Sequence, residues 1–198
     1  MDYLGGFVVA ASKDWRDGSV VTATKNQGGC GSCWAFSTTE TFESHLAFAT
    51  GDAVQILSPQ QQVSCAPNPD SCGGTGGCQG SSQPLGFNSS STGGMSTEAS
   101  HPYTSGRGRT GTCDESKINA VGFKDGYVSL KVNDYNQLIN GVGTMGPVAV
   151  SLAAAGSAAG SYGGGVLKAC NKFVMHHAVQ LVDVGTEYGF MNCRPLVF

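Results

Sequence analysis

Between Cys33 and Ala49 the apolar positions recur with helical spacing: Ala35, Phe42, Leu46 and Ala49 stand seven, four and three residues apart. That spacing puts them on one face of a helix, with Ser32 before it as a candidate N-cap and Gly51 just past it as a stop. His45 falls on the more polar side and reads as a surface residue. A second start signal follows at Ser58-Pro59-Gln60-Gln61. It has Ser as cap, Pro at the first helical position and Gln at the capping-box position, and it predicts a helix running towards Cys65. Residues 66–116 lose this order and read as loops.

The period changes near Asp114. Val121 to Val128 is rich in Val and aromatic residues, as strands are. Asp134 caps a short predicted helix with Tyr135, Leu138, Ile139 and Val142 on its inner face. Pro147–Leu152 and Ala178–Val182 are short apolar runs bounded by polar residues, and they read as buried strands. Helices first and strands later make an α+β pattern with two lobes, expected at residues 1–113 and 114–198. No internal repeat is visible.

Composition narrows the choice of chemistry. Charged residues are 13% of the 198 and the net charge is −3, so nothing forms the basic footprint of a nucleic-acid or acidic-membrane binder. No run approaches 18 consecutive apolar residues, so no membrane span is expected. The 30 glycines gather around 73–80, 93–94, 106–111 and 156–165, which marks loops and close turns. Eight cysteines favour disulfides in an oxidising compartment over a metal site, since no Cys pair with a His pair shows zinc-finger spacing. No cofactor is implied. Tyr3–Ala11 is apolar but follows Asp2 and lacks a basic start, so it reads as an extended lead-in rather than a signal peptide. Asn88-Ser89-Ser90 matches the N-glycosylation pattern.

Gln27-Gly-Gly-Cys30-Gly-Ser-Cys33-Trp-Ala-Phe36 is the most informative segment. Cys33 falls at the first turn of the predicted helix, where unpaired N–H groups and the helix dipole favour an anion, the nucleophilic form of sulfur. The Cys33 N–H and a side-chain amide such as Gln27 are placed to receive charge developing on a carbonyl oxygen. Other readings stand beside this one. Cys33 as a disulfide cysteine, Cys30 and Cys33 as a redox dithiol, and the whole run as a structural turn all fit the same residues. Against the dithiol, Trp34 follows the second cysteine and no βαβ unit surrounds it. Of four histidines, His101 precedes Pro102 in a loop, whereas His176 and His177 introduce a strand 144 residues beyond Cys33. A strand is a rigid place from which to aim an imidazole.

Taken in order, Asp14-Trp-Arg16, Lys25-Asn-Gln27, Cys30–Phe36, Leu57–Gln60, Val63–Cys65, Gly77-Cys78, Gly146–Val150 and His177–Leu181 resemble the papain-like cysteine peptidases of the cathepsin L type. The resemblance spans residues 12–188. It implies a papain-like two-lobed fold with a peptide cleft, Cys33 as nucleophile, His177 as general base and acid, and Gln27 as oxyanion donor. It further implies bridges Cys30–Cys78 and Cys65–Cys113. Cys72 is left without a partner, and Cys193 is the one nearby mate for Cys170. Polypeptide substrates are implied, with a proregion or cystatin-like inhibitors as partners. A monomer in a lysosome, vacuole or the extracellular space is expected.

Several positions depart from the family pattern. Gln79-Gly80-Ser81-Ser82 replaces a Gly-rich stretch, and Ser81 is expected to crowd a bound peptide. Pro84, Gly86 and the Ser89–Gly94 run are expected to interrupt the helix that follows. His176 stands where relatives have Asn or Asp, and Asp183 replaces a Gly. After Tyr188 an Asn-Ser-Trp-Gly segment and further strands are expected, and the sequence instead runs to Phe198, so truncation is expected. Asn192, 15 residues past His177, is the one candidate to orient the imidazole. An impaired homologue or gene fragment that only binds peptides is the alternative function.

Overall fold

The computed structural model describes residues 12–122, 125–154, 175–187 and 190–196. Helix α1 spans Cys33–Thr50 and ends at Gly51, whose left-handed φ of 73° lets its N–H bond Ala47 O at 2.9 Å. The expected apolar stripe proves too narrow. Trp34 and every residue from Ala35 to Ser44 are buried, because α1 is enclosed by α2, α3 and the main sheet. Ala49 is exposed, and so is His45, as expected. The buried hydroxyls of Ser37, Thr38 and Ser44 are satisfied by the helix itself, as when Thr38 Oγ1 donates to Trp34 O at 2.7 Å.

Helix α2, Pro59–Cys65, starts as its sequence predicts: the Ser58 side chain accepts from Gln61 N. Gln61 does not close the capping box. Its amide instead bonds Gly94 O and Ser96 N, tying α2 to strand β2, Met95–Ser96.

The loop expected over 66–116 contains a helix, α3, Gln83–Gly93, which corrects the expectation of an interrupted one. Pro84 lies in the first turn, where its missing N–H has no intrahelical partner to lose. Gly86 lets the helix sit hard on α1, since a Cβ there would come within 2.8 Å of Thr38 Oγ1. Ser90 and Ser91 return their hydroxyls to Gly86 O and Phe87 O one turn back. Asn88 is exposed on this helix.

Strand β3, Ala120–Gly122, pairs with β2 and is shorter than the strand predicted over 121–128; Phe123 and Lys124 lie outside the described residues. Helix α4, Tyr135–Thr144, is capped by Asp134 as predicted, and Ile139 and Val142 are buried, but Tyr135 is exposed. The main sheet is antiparallel around β5, His177–Glu187. Strand β4, Val148–Leu152, pairs with His177–Leu181, β1, Lys13–Asp14, with Asp183–Val184, and β6, Phe190–Leu196, with β5 from Gln180 to Glu187. Ile139, Val142, Leu181, Val184 and Trp15 share one core, and Trp15 Nε1 donates to Val142 O at 2.6 Å. Lys13–Trp15, assigned with the first lobe by sequence, is thereby attached to the sheet of the second half, while residues 1–11, expected as an extended lead-in, lie outside the described residues.

Candidate active site

Two disulfides, Cys30–Cys78 and Cys65–Cys113, hold the first half together, while Cys33 and Cys72 are unbridged among the described residues. Both pairings match those the family resemblance implies. With Cys30 bonded to Cys78, a Cys30/Cys33 dithiol is excluded. Cys170, and with it the expected Cys170–Cys193 pairing, lies outside the described residues.

The loop before α1 is built from the backbone up. Gly28, at φ 64°, lies so close to Gly106 O that no side chain fits, and Gly29 N bonds that same oxygen at 2.7 Å. Gly31 N bonds Cys78 O at 2.9 Å, which continues the grip of the disulfide. Ala35 N and Phe36 N both bond Ser32 O, and by the geometry of a helix start the Cys33 N–H has no intrahelical acceptor. Ser32, expected as a side-chain cap, makes no cap bond; its hydroxyl goes to Tyr103. Cys33 itself is half-buried. Gln27 Nε2 donates to Cys30 O at 2.8 Å, which keeps that amide beside the loop.

His177 is the first residue of β5, opposite Leu152, and is half-buried. Burial, and secondarily the charge of His176, hold its imidazole below the ordinary value. Two contacts fix how α1 runs over β5. Gln180 Nε2 donates to Glu40 O at 2.9 Å and to Ser44 Oγ at 3.0 Å. Further along, His45 Nε2 donates to Pro147 O at 2.9 Å, next to Val148, which faces Leu181. The helix and the strand therefore run in the same direction. Cys33 lies seven residues before Glu40, roughly 10 Å up the helix. His177 lies three residues before Gln180, roughly 10 Å up the strand. Both fall at the same end. There Gln83, at the start of α3, donates to Ser151 Oγ at 3.0 Å, and Ser151 pairs with Ala178 beside His177.

Other candidates are not brought to this end. Asn192 pairs with Gly185, eight residues along β5 from His177, on the order of 26 Å away. Ser81, expected to crowd the cleft, has its hydroxyl buried out of solvent. An apolar hollow of about 480 Å³, lined in part by Phe42, Leu46, Phe87, Tyr127 and Val148, opens at the far end of α1. Neither Cys33 nor His177 lines it. No group of three metal-binding side chains occurs among the described residues.

A family model described as papain family cysteine protease matches residues 9–192. The chain belongs to the papain family of cysteine proteases. Vignain of Vigna mungo is 38% identical over 186 residues, which is 93% of this chain and 49% of that protein. A cathepsin L-like proteinase of Phaedon cochleariae is 36% identical over 180 residues, covering 90% and 52% respectively. The chain thus spans about half the length of these curated relatives. Digestive procathepsin L 3 of Tenebrio molitor larval midgut superposes with a TM-score of 0.83 at 34% identity, over 96% of this chain and 60% of that one. The Amb a 11 ragweed pollen cysteine protease, in its proform, gives 0.83 at 32%, over 95% and 56%. The papain-like α+β fold follows from these.

Sequence reasoning named Cys33, His177 and Gln27 but missed Tyr103, which touches both Ser32 and the Gln27 backbone. The Tyr is 70 residues beyond Cys33 in a loop, and no periodicity or spacing signals it.

Proposed function

We propose that the chain is a thiol endopeptidase acting on polypeptides. Neutral His177 takes the Cys33 thiol proton as the sulfur attacks the scissile carbonyl carbon, and the resulting oxyanion is met by the Cys33 N–H and the Gln27 side-chain amide. The C–N bond then breaks, and the His177 imidazolium gives its proton to the departing amine. His177, now neutral, takes a proton from water as that water attacks the thioester; the C–S bond breaks, the acid leaves, and the imidazolium returns its proton to sulfur, restoring the thiol.

One observation supports this reading most: a half-buried cysteine outside both disulfides opens a helix whose axis runs alongside the strand that begins at His177. The lowered His177 value agrees with a neutral base. Two disulfides agree with a lysosomal, vacuolar or extracellular location, and among the described residues no helix is long and apolar enough to cross a membrane. The proforms among the similar structures support a proregion as a natural occupant of the cleft, with cystatin-like inhibitors as a second class. The test is labelling of folded protein with a peptidyl epoxide, followed by peptide mapping. Modification at Cys33, lost in His177→Ala, is expected; an unlabelled Cys33 in folded protein sinks the proposal.

A further inference from the structure

We propose that Tyr103 is a positioning residue that ties the segment carrying Gln27 to the turn carrying Cys33. This deepens the peptidase reading above and rests on it. The Tyr103 hydroxyl donates to Gln27 O at 2.8 Å. A carbonyl only accepts, so the single phenolic proton is committed there. Ser32 Oγ, 2.8 Å from the same phenolic oxygen, must then be the donor in that second bond. One oxygen thus joins the residue before Cys33 to the backbone of the oxyanion donor.

The joint is rigid because Tyr103 is held elsewhere. Its ring packs edge-on against Phe36 with centroids 4.9 Å apart, and it lies against the cluster of Cys30, Trp34, Ala35, Val63 and Cys78. Its N–H bonds Glu98 Oε1 at 2.7 Å, and the next residue, Thr104, bonds Gln60 Oε1 at 2.7 Å. Burial raises the Tyr103 hydroxyl above its ordinary value, which keeps the donating proton in place. Gln27 is then fixed at two points, its carbonyl by Tyr103 and its amide by Cys30 O. A primary amide carries two N–H bonds; the one not used on Cys30 is left for a substrate oxygen. Small errors in such a donor's place matter, since a shift near 1 Å costs up to about a hundredfold in rate.

Tyr103→Phe keeps the ring and removes only the oxygen. We expect kcat to fall about tenfold with KM within about twofold, the signature of an interaction realised in the transition state. A peptide aldehyde, whose thiohemiacetal carries the oxyanion, should bind about tenfold more weakly. Alkylation of Cys33 by iodoacetamide forms no oxyanion and should change less than about twofold. Unchanged aldehyde affinity, or equal losses with both reagents, overturns the inference. Should Tyr103→Phe not fold, Ser32→Ala cuts the other half of the bridge and carries the same comparison. Wild-type protein that neither binds the aldehyde nor labels at Cys33 instead overturns the peptidase reading, and this inference with it.

Discussion

Glu40 is 1% exposed on α1, and its surroundings leave it short of compensation. Among the described residues the one nearby ammonium, Lys25 Nζ, sits 2.8 Å from Glu43 Oε2 and 3.4 Å from Glu40 Oε1. Glu43 also accepts from Thr22 Oγ1 and Leu57 N, whereas Glu40 Oε2 has no partner among the described residues. Burial, opposed in part by Lys25 and reinforced by Glu43, pushes the Glu40 carboxyl from 4.5 up to about 8. The folded chain therefore keeps a proton that the unfolded chain releases above 4.5, and stability falls as pH climbs from there to about 8. Glu40→Gln should remove this part of the slope. His101 and His177, lowered chiefly by burial, act with the opposite sign, but they do so in both proteins. The difference in Tm between the two proteins across that window isolates Glu40. A constant difference would refute the assignment. No sequence pattern announced this cluster, because charged residues on an amphipathic helix are expected on its wet side and three elements must close around α1 before that side disappears.

Helix α2 was legible and α3 was not, and the reason is where each helix draws its stability. Ser58-Pro59 is a local start signal that works in any context, and the structure uses it without change. α3 has almost no local signal; its Gly and Ser residues become helical by fitting Thr38 of α1 and by returning hydroxyls to their own turns. Such gains exist only after packing, so propensity reads them with the wrong sign. The cap of α2 allows a direct measure. Ser58 Oγ accepts from Gln61 N at 3.0 Å and donates to His101 O at 2.6 Å, with Ser58 fully buried. Ser58→Ala loses the cap and leaves a buried carbonyl without its donor. A cost of about 1–3 kcal/mol is expected, read as a lower urea midpoint at constant m-value. A change within about 0.5 kcal/mol, the range of neutral surface substitutions, would show that neither bond contributes.

At the scale of the molecule, sequence placed Cys33 and His177 on a helix start and a strand start, but not at a common end. That relation depends on Gln180 and His45, contacts spanning 140 and 102 residues, which no local pattern encodes. The disulfides offer a way to separate stability from geometry at this scale. Each closes a loop of the same length, with a sequence separation of 48 in both, so each should contribute a similar chain-entropy stabilisation of about 4 kcal/mol. Their positions differ. Cys30–Cys78 adjoins the Gly31 N to Cys78 O bond and the Gln27 amide anchor at Cys30 O. Cys65–Cys113 joins the C-terminus of α2 to the loop after Gly111, away from Cys33. Replacing either pair with serines should lower unfolding stability about equally. In folded protein only the Cys30→Ser/Cys78→Ser pair should slow epoxide labelling of Cys33, by about tenfold or more, since it loosens the turn that aims the sulfur. Equal slowing by both replacements would mean that the bridges act on the site only through global stability, and that the turn before α1 holds its shape without the covalent link.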